Sequence, residues 1–227
     1  MDKKLVIAID GVVASGKGTL ARLVAEKLGY IHIDTGAIFR AITLEVLRRD
    51  IKPDDVSNIE NFLEEIDISF KKNNETGKNE IYINGENVES QVRDPKISKK
   101  VPIVAHIPKV REFVRSIQHT QAENGGIVLD GRDIGTVVFP EADLKIFLTA
   151  DAEVRAKRRF DELKEKVRDS KYEDILSDLN SRDQYDMNVE ISPLKQAEDA
   201  VLIDSTQMSI PEVVETVYDL AREKLSV

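Results

Sequence analysis

The sequence predicts an α/β fold built on a parallel sheet, and three observations point to it. Short apolar runs of the kind buried on both faces recur along the chain and alternate with helical patterns. A glycine-rich segment at residues 11–19 lies between the first such run and the first helical pattern. One stretch, about residues 67–93, breaks the rhythm with period-two alternation and a turn signal, so a small antiparallel insert is expected there.

Residues 5–9 are a continuous apolar run ending in Asp10-Gly11, which fits a strand covered on both faces. Leu20, Leu23, Val24 and Leu28 follow helical spacing, and Gly29 stops that helix. Residues 30–34 read as a second strand and 37–49 as a second helix. In the insert, Ile68 and Phe70 alternate with polar residues and a polar turn covers 71–80. Ile81-Tyr82-Ile83 then meets Asn84-Gly85, a strong hairpin signal. Val110, Phe113, Val114 and Ile117 share a helix face, as do Ile175, Leu176 and Leu179. Further strands are expected at 127–130, 144–148 and 201–204. The last helix opens with a capping box, Ser209 to Glu212, with Pro211 in its first turn. Residues 165–170 are charged and lack apolar periodicity, so they read as the hinge of a mobile lid. The expected organisation is a core of residues 1–50 and 105–227, with a lid at roughly 160–185, and an insert of 51–104.

With 227 residues, 41% of them hydrophobic and 33% charged, the chain reads as soluble and globular. It has no apolar run of ~18 residues, the length a membrane span needs. Residues 1–4 enter a strand-like run without a signal-peptide pattern, and the absence of Cys excludes disulfides. A cytoplasmic location is the default expectation, with no nucleic-acid or membrane partner and a monomeric state. The net charge of −9 disfavours nucleic acid and repels anionic small molecules, so the placement of Arg and Lys becomes informative.

Gly11, Val12, Val13, Ala14, Ser15, Gly16, Lys17, Gly18 and Thr19 lie in the strand–loop–helix context required of a phosphate-binding loop. Such a loop turns its backbone N–H groups inward at phosphate oxygens, and the helix N-terminus adds positive potential. Lys17 is the expected contact to the β- and γ-phosphates of ATP. An ordinary glycine turn is the bland alternative, but strand, loop and helix all agree. Gly18 stands where the general pattern has Ser or Thr, and Thr19 comes one position late. This leaves no certain protein ligand for Mg²⁺, an ion that commonly keeps water and phosphate oxygens in its shell.

Thr35, the expected cap of the second helix, and Arg40 follow the second strand, and Asp130-Gly131-Arg132-Asp133 ends another. In open parallel sheets ligands bind beyond the carboxyl ends of the strands, so these segments and the phosphate loop are expected around one crevice. A solvated surface charge is the plain reading of any single Arg. Two arginines at strand ends beside a phosphate loop favour a site.

These motifs together resemble bacterial cytidylate kinases, P-loop nucleoside monophosphate kinases. The resemblance rests on the phosphate loop and on Asp34-Thr35-Gly36-Ala37-Ile38-Phe39-Arg40. It rests further on the run from Asp130 through Ile134-Gly135-Thr136-Val137-Val138-Phe139-Pro140, and on Arg182-Asp183 with Asp186 and Ser192-Pro193-Leu194, all in that order. It covers essentially the whole chain and implies a P-loop three-layer fold with an NMP-binding insert and a lid. It implies ATP with Mg²⁺ as donor and CMP or dCMP as acceptor. It implies an acceptor site of Thr35, Arg40, Arg111, Gly131, Arg132, Asp133, Arg182 and Asp186, with Lys17, Arg132 and Arg182 catalytic. Arg155, Lys157, Arg158 and Arg159 form a basic stretch on a helix that Asp151 caps, and in the family that helix leads into the lid. Arg155, Arg158 and Arg159 are therefore expected near ATP, against the alternative of a solvated face paired with Asp161 and Glu162.

Three positions depart from the family pattern: Phe39 replaces Tyr, Pro102 replaces a cytosine-contacting Ser, and Val189 replaces a phosphate-binding Arg. All three concern the acceptor. They keep two other readings open: a kinase of this fold acting on UMP or a small metabolite, and an ATP-binding module without catalysis. Arg182, Asp186 and Val189 are spaced i, i+4, i+7, which puts them on one face if the helix continues. His32, His106 and His119 show no metal-ligand spacing.

Overall fold

The computed structural model describes residues 4–73, 75–164 and 171–226. Along them the chain forms β1 (Val6–Gly11), α1 (Lys17–Leu28), β2 (Ile31–Asp34), α2 (Thr35–Arg48) and α3 (Val56–Phe62). Next come β3 (Ile68–Lys72), β4 (Asn79–Ile83), β5 (Glu86–Asn87), α4 (Pro95–Ser98), α5 (Val101–Ala105) and α6 (Pro108–Ala122). The chain closes with β6 (Ile127–Asp130), β7 (Leu144–Thr149), α7 (Ala152–Lys164), α8 (Tyr172–Asn188), β8 (Val201–Asp204) and α9 (Ile210–Leu225). The expected hinge at 165–170 lies outside the described residues.

Five strands form one sheet in the order β2-β6-β1-β7-β8. β1 pairs in parallel with β6 on one side and β7 on the other, and β7 pairs in parallel with β8. Helices link these strands, because parallel neighbours need crossover connections. The apolar run of β1 belongs at the centre: Ile7, Ala8 and Ile9 are 0% exposed. Gly11 ends the strand at φ +148°, and a Cβ there would lie 1.9 Å from the Leu148 carbonyl oxygen of β7, so only glycine lets the chain leave the sheet at this point.

The chain divides into two compact units, residues 1–31 with 125–227, and residues 32–124. In the first unit Leu20 and Val24 of α1, Val213 and Val217 of α9, and Leu144, Ile146 and Leu148 of β7 share one buried cluster with β1. The expected capping box is present: the Glu212 carboxylate accepts from the Ser209 amide at 2.7 Å. In the second unit β3, β4 and β5 form the expected antiparallel sheet. Asn84 and Gly85 adopt φ of 49° and 82°, the backbone a tight hairpin turn requires. Two local expectations change. Asp34, not Thr35, caps α2, accepting from Ala37 N at 2.9 Å. α8 ends at Asn188, so Val189 lies just past it in an extended conformation. Among the described residues no helix is long and apolar enough to cross a membrane.

Candidate active site

In the first unit the loop after β1 carries a buried lysine. Lys17 is 5% exposed, and its ammonium donates to the Val12 carbonyl at 2.6 Å and to Ser15 Oγ at 3.4 Å. Ala14 and Gly16 take positive φ of 56° and 90°, which curls the loop into the start of α1. No side chain caps that helix and its first turn holds no acid, so its first turn does not offset its positive end. Burial, reinforced by the neighbouring Arg132 charge, pushes Lys17 well below the usual lysine range, while Asp130, Asp10 and Asp186 pull the other way.

Three carboxylates organise the surroundings of this loop. Asp10, 4% exposed, accepts from Ile134 N at 2.9 Å and Gly135 N at 2.7 Å. It thereby ties the end of β1 to the single π-helical turn Ile134–Val138 that follows Asp133. Burial raises Asp10 to about 6, against the lowering effect of those two amides. Asp130 ends β6, and its Oδ2 would lie 3.7 Å from a Cβ on Gly18. Asp186 of α8 accepts from Arg132 Nε at 2.7 Å, and Arg132 Nη1 also reaches the Gly131 carbonyl at 3.3 Å. Gly131 itself donates its N–H to Ile9 O at 3.0 Å, and Asp133 is buried.

The basic stretch of α7 divides by depth. Asp151 caps the helix as expected, accepting from Glu153 N at 2.8 Å. Arg155 is 4% exposed and donates to Ala150 O and Val13 O, each at 2.8 Å. It also pairs with Asp183 at 2.7 Å. Arg158 donates to Ser205 O at 2.8 Å, whereas Arg159 and Lys157 pair on the surface with Glu162 and Asp161. On α8, Asp183 is buried and Arg182 is exposed.

In the second unit Asp34 gathers two guanidiniums. Its Oδ2 accepts from Arg40 Nη2 and from Arg93 Nη1, each at 2.7 Å. Burial works against ionising Asp34, but Arg40 and Arg93 outweigh it and hold the carboxyl down at about 2. Gly36 leaves room for this arrangement, since a Cβ there would sit 2.9 Å from Arg40 Nη1. Thr35 is buried in the first turn of α2. The Arg111 guanidinium lies 5.7 Å over the Phe39 ring, a cation–π distance, and its Nη1 reaches Ala105 O at 3.3 Å. Pro102 stands in the first turn of α5, and its carbonyl accepts from His106 Nδ1 at 2.6 Å.

The first unit thus holds Lys17, Gly131, Arg132, Asp133 and Asp186 on connected elements, with Arg182 on the outer side of α8. The second unit holds Thr35, Arg40 and Arg111. Sequence reading missed Asp10, Asp130, Asp183 and Arg93 as site-building residues. The available signal was positional: Asp10 and Asp130 each sit at the end of an apolar strand run, and Asp183 is three residues before Asp186.

Known proteins resemble this chain along nearly its whole length. The family model for cytidylate kinase matches residues 7–223. A cytidylate kinase of Caldicellulosiruptor bescii is 48% identical over 218 residues, covering 96% of each chain. One of Bacteroides thetaiotaomicron is 46% identical over 211 residues, covering 92% of each. Among solved structures, a Thermus thermophilus protein superposes with a TM-score of 0.50 at 16% identity, covering 98% of each chain, a likeness of fold.

Proposed function

This chain belongs to the cytidylate kinase family, an enzyme of the nucleoside monophosphate kinase type, and from that premise we propose that it transfers the γ-phosphoryl group of ATP to the phosphate of CMP and dCMP. The observation that carries the reading is the pairing, within one unit, of a buried phosphate-loop lysine with an arginine at the end of β6. Burial first, and then the Arg132 charge, lowers the Lys17 pKa, as expected of two cations in the neighbourhood of a polyphosphate.

In the proposed reaction the bond between the bridging oxygen and the γ-phosphorus breaks, an oxygen of the CMP phosphate bonds that phosphorus, and ADP leaves. The attacking oxygen is already anionic, so no strong base is needed, and alignment with charge neutralisation does the chemistry. Lys17 serves the donor phosphates. A polyphosphate beside it favours the ammonium form and reverses the depression that burial imposes. Arg132, held by Asp186, serves the acceptor phosphate, with Arg40 and Arg111 of the second unit and Arg182 as further acceptor contacts. Thr35, Gly131 and Asp133 complete the proposed acceptor set. Arg155, Arg158 and Arg159 form the α7 side of the ATP site.

The residues fit Mg²⁺ held mainly by phosphate oxygens and water. Among the described residues no three acidic or histidine side chains converge, while Asp130 offers a carboxylate beside Gly18 and Thr19 stands exposed in the first turn of α1. When bound, the ion neutralises charge on the transferring group.

A panel of CMP, dCMP, UMP, AMP and small hydroxylated metabolites, each with ATP, tests the proposal. CDP and dCDP formation is expected. Product from UMP or a metabolite alone replaces the acceptor assignment, and ATP binding without any product favours a non-catalytic module.

A further inference from the structure

We infer that Asp183 is a positioning residue for the proposed phosphoryl transfer, acting on Lys17 through the Val12–Val13 peptide group. The Val12 carbonyl and the Val13 N–H belong to one planar unit. Lys17 Nζ donates to the Val12 carbonyl oxygen at 2.6 Å, and the Val13 N–H donates to Asp183 Oδ1 at 3.0 Å. Asp183 therefore sets the tilt of the plane whose other end holds the ammonium. The next peptide is held as well, since Arg155 Nη1 donates to Val13 O at 2.8 Å. Arg155 and Asp183 are bonded to each other at 2.7 Å, which closes a ring around Val13.

Both partners are deep, with side chains 5% and 11% exposed. A buried ion pair of this kind is poor evidence for stability, because apolar side chains of the same volume commonly do as well or better. Its geometric consequence is the stronger account. Asp186 lies three residues further along α8 and grips Arg132 at 2.7 Å. At ~1.5 Å rise per residue, one rigid helix then spaces the phosphate loop from the arginine proposed for the acceptor. Phosphoryl transfer needs reacting atoms held within roughly 3–3.5 Å, so a loop that tilts loses rate before the fold loses stability.

The inference rests on the kinase reading above, and the test separates the two. Wild type, Asp183→Asn, and the paired variant Asp183→Leu with Arg155→Met are compared by turnover with CMP, by ATP titration and by melting. Asn keeps a neutral oxygen for the Val13 N–H, and the Leu/Met pair keeps volume but removes the acceptor. Turnover is expected to fall about tenfold in Asp183→Asn, as a charged acceptor becomes neutral. It is expected to fall about a hundredfold in the pair. ATP binding weakens in the same order, KM for CMP stays unchanged, and the pair melts no lower than Asp183→Asn. Turnover that tracks melting temperature, or wild-type turnover and ATP affinity in folded Asp183→Asn, overturns the inference. Wild-type protein that binds ATP but makes no CDP overturns the kinase reading instead, and the ATP titrations then still decide the role of Asp183. If the pair does not fold, Asp183→Asn alone decides by the same criteria.

Discussion

Asp10 and Asp34 stand in comparable places, one near the end of β1 and the other at the end of β2, and each accepts backbone amide hydrogens. Their acidities move in opposite directions. Asp10 accepts from the Ile134 and Gly135 amides, and burial, with a smaller push from Asp133, lifts it to about 6. Asp34 has Arg40 and Arg93 against it and is held at about 2 despite burial. A related contrast separates the phosphate loop, in the first unit, from the Asp34 cluster, in the second, although ion pairs such as Arg155–Asp183 occur in the first unit too. In the first, charged groups are sunk against backbone, as Lys17 is on Val12 O and Arg155 on Val13 O and Ala150 O. In the second, the charges pair with one another nearer the surface, and the Arg93 side chain is 49% exposed. Buried contacts to backbone have one geometry and are insensitive to salt. Partly exposed ion pairs are screened more by salt. The phosphate-loop contacts are thus preset, while Arg40 and Arg93 rest on a shared carboxylate at 2.7 Å, nearer the surface.

The largest expected effect breaks the preset half. Lys17→Ala is expected to lower kcat about a thousandfold, the loss typical of one missing transition-state cation or donor. Its melting temperature is expected to hold, because a buried ammonium is removed. Near-normal turnover in the folded variant would show that the loop does not carry the donor.

Arg132→Ala sharpens the division between donor and acceptor. A lost charged contact to phosphate costs at least ~2 kcal/mol, so KM for CMP is expected to rise about thirtyfold with little change for ATP. Equal increases for both substrates would place Arg132 on the transferring group instead.

The pH dependence of stability compares the two aspartates directly. The folded value of Asp34 is depressed from 3.8 to about 2. Its contribution is therefore present above pH ~4 and is lost as pH falls toward ~2, which amounts to about 2 kcal/mol. The folded value of Asp10 is raised from 3.8 to about 6. Its burial therefore weighs against folding at neutral pH and is relieved as pH falls through ~6 toward ~4. Melting curves of Asp34→Asn across pH 3–7 are expected to lie below wild type at neutral pH and to converge with it in acid. Parallel curves would refute the ion-pair account.

The smallest expected effect concerns Val189. It follows the last turn of α8, half-buried, with its N–H on Tyr185 O at 3.1 Å. Val189→Arg is expected to lower KM for CMP about fivefold, equivalent to ~1 kcal/mol. An unchanged KM in a normally melting variant would mean that this position faces away from the acceptor.

Local pattern made much of this molecule legible. The phosphate loop, the strand runs, the Asn84-Gly85 hairpin and the Ser209 capping box are read from residues close in sequence, because backbone period and turn conformation are local properties. α8 marks where that reading stops. A spacing of i, i+4, i+7 picked out Arg182, Asp186 and Val189, but periodicity names a face without saying what it meets. The chain leaves the helix before Val189, and Asp183 with Asp186 turn inward while Arg182 stays exposed.

The sequence by itself determined the element order, the family and the phosphate-loop motif, since each is written in short contiguous segments. Tertiary structure alone decided which charges hold those motifs in place. Asp10 reaches amides 124 and 125 residues away, and Asp183 reaches Val13 across 170. The Arg155 guanidinium turns inward to the loop rather than outward to solvent. The physical reason is that burial and pairing of charge depend on which distant backbone arrives beside a side chain, and parallel crossovers bring together segments that share no local pattern.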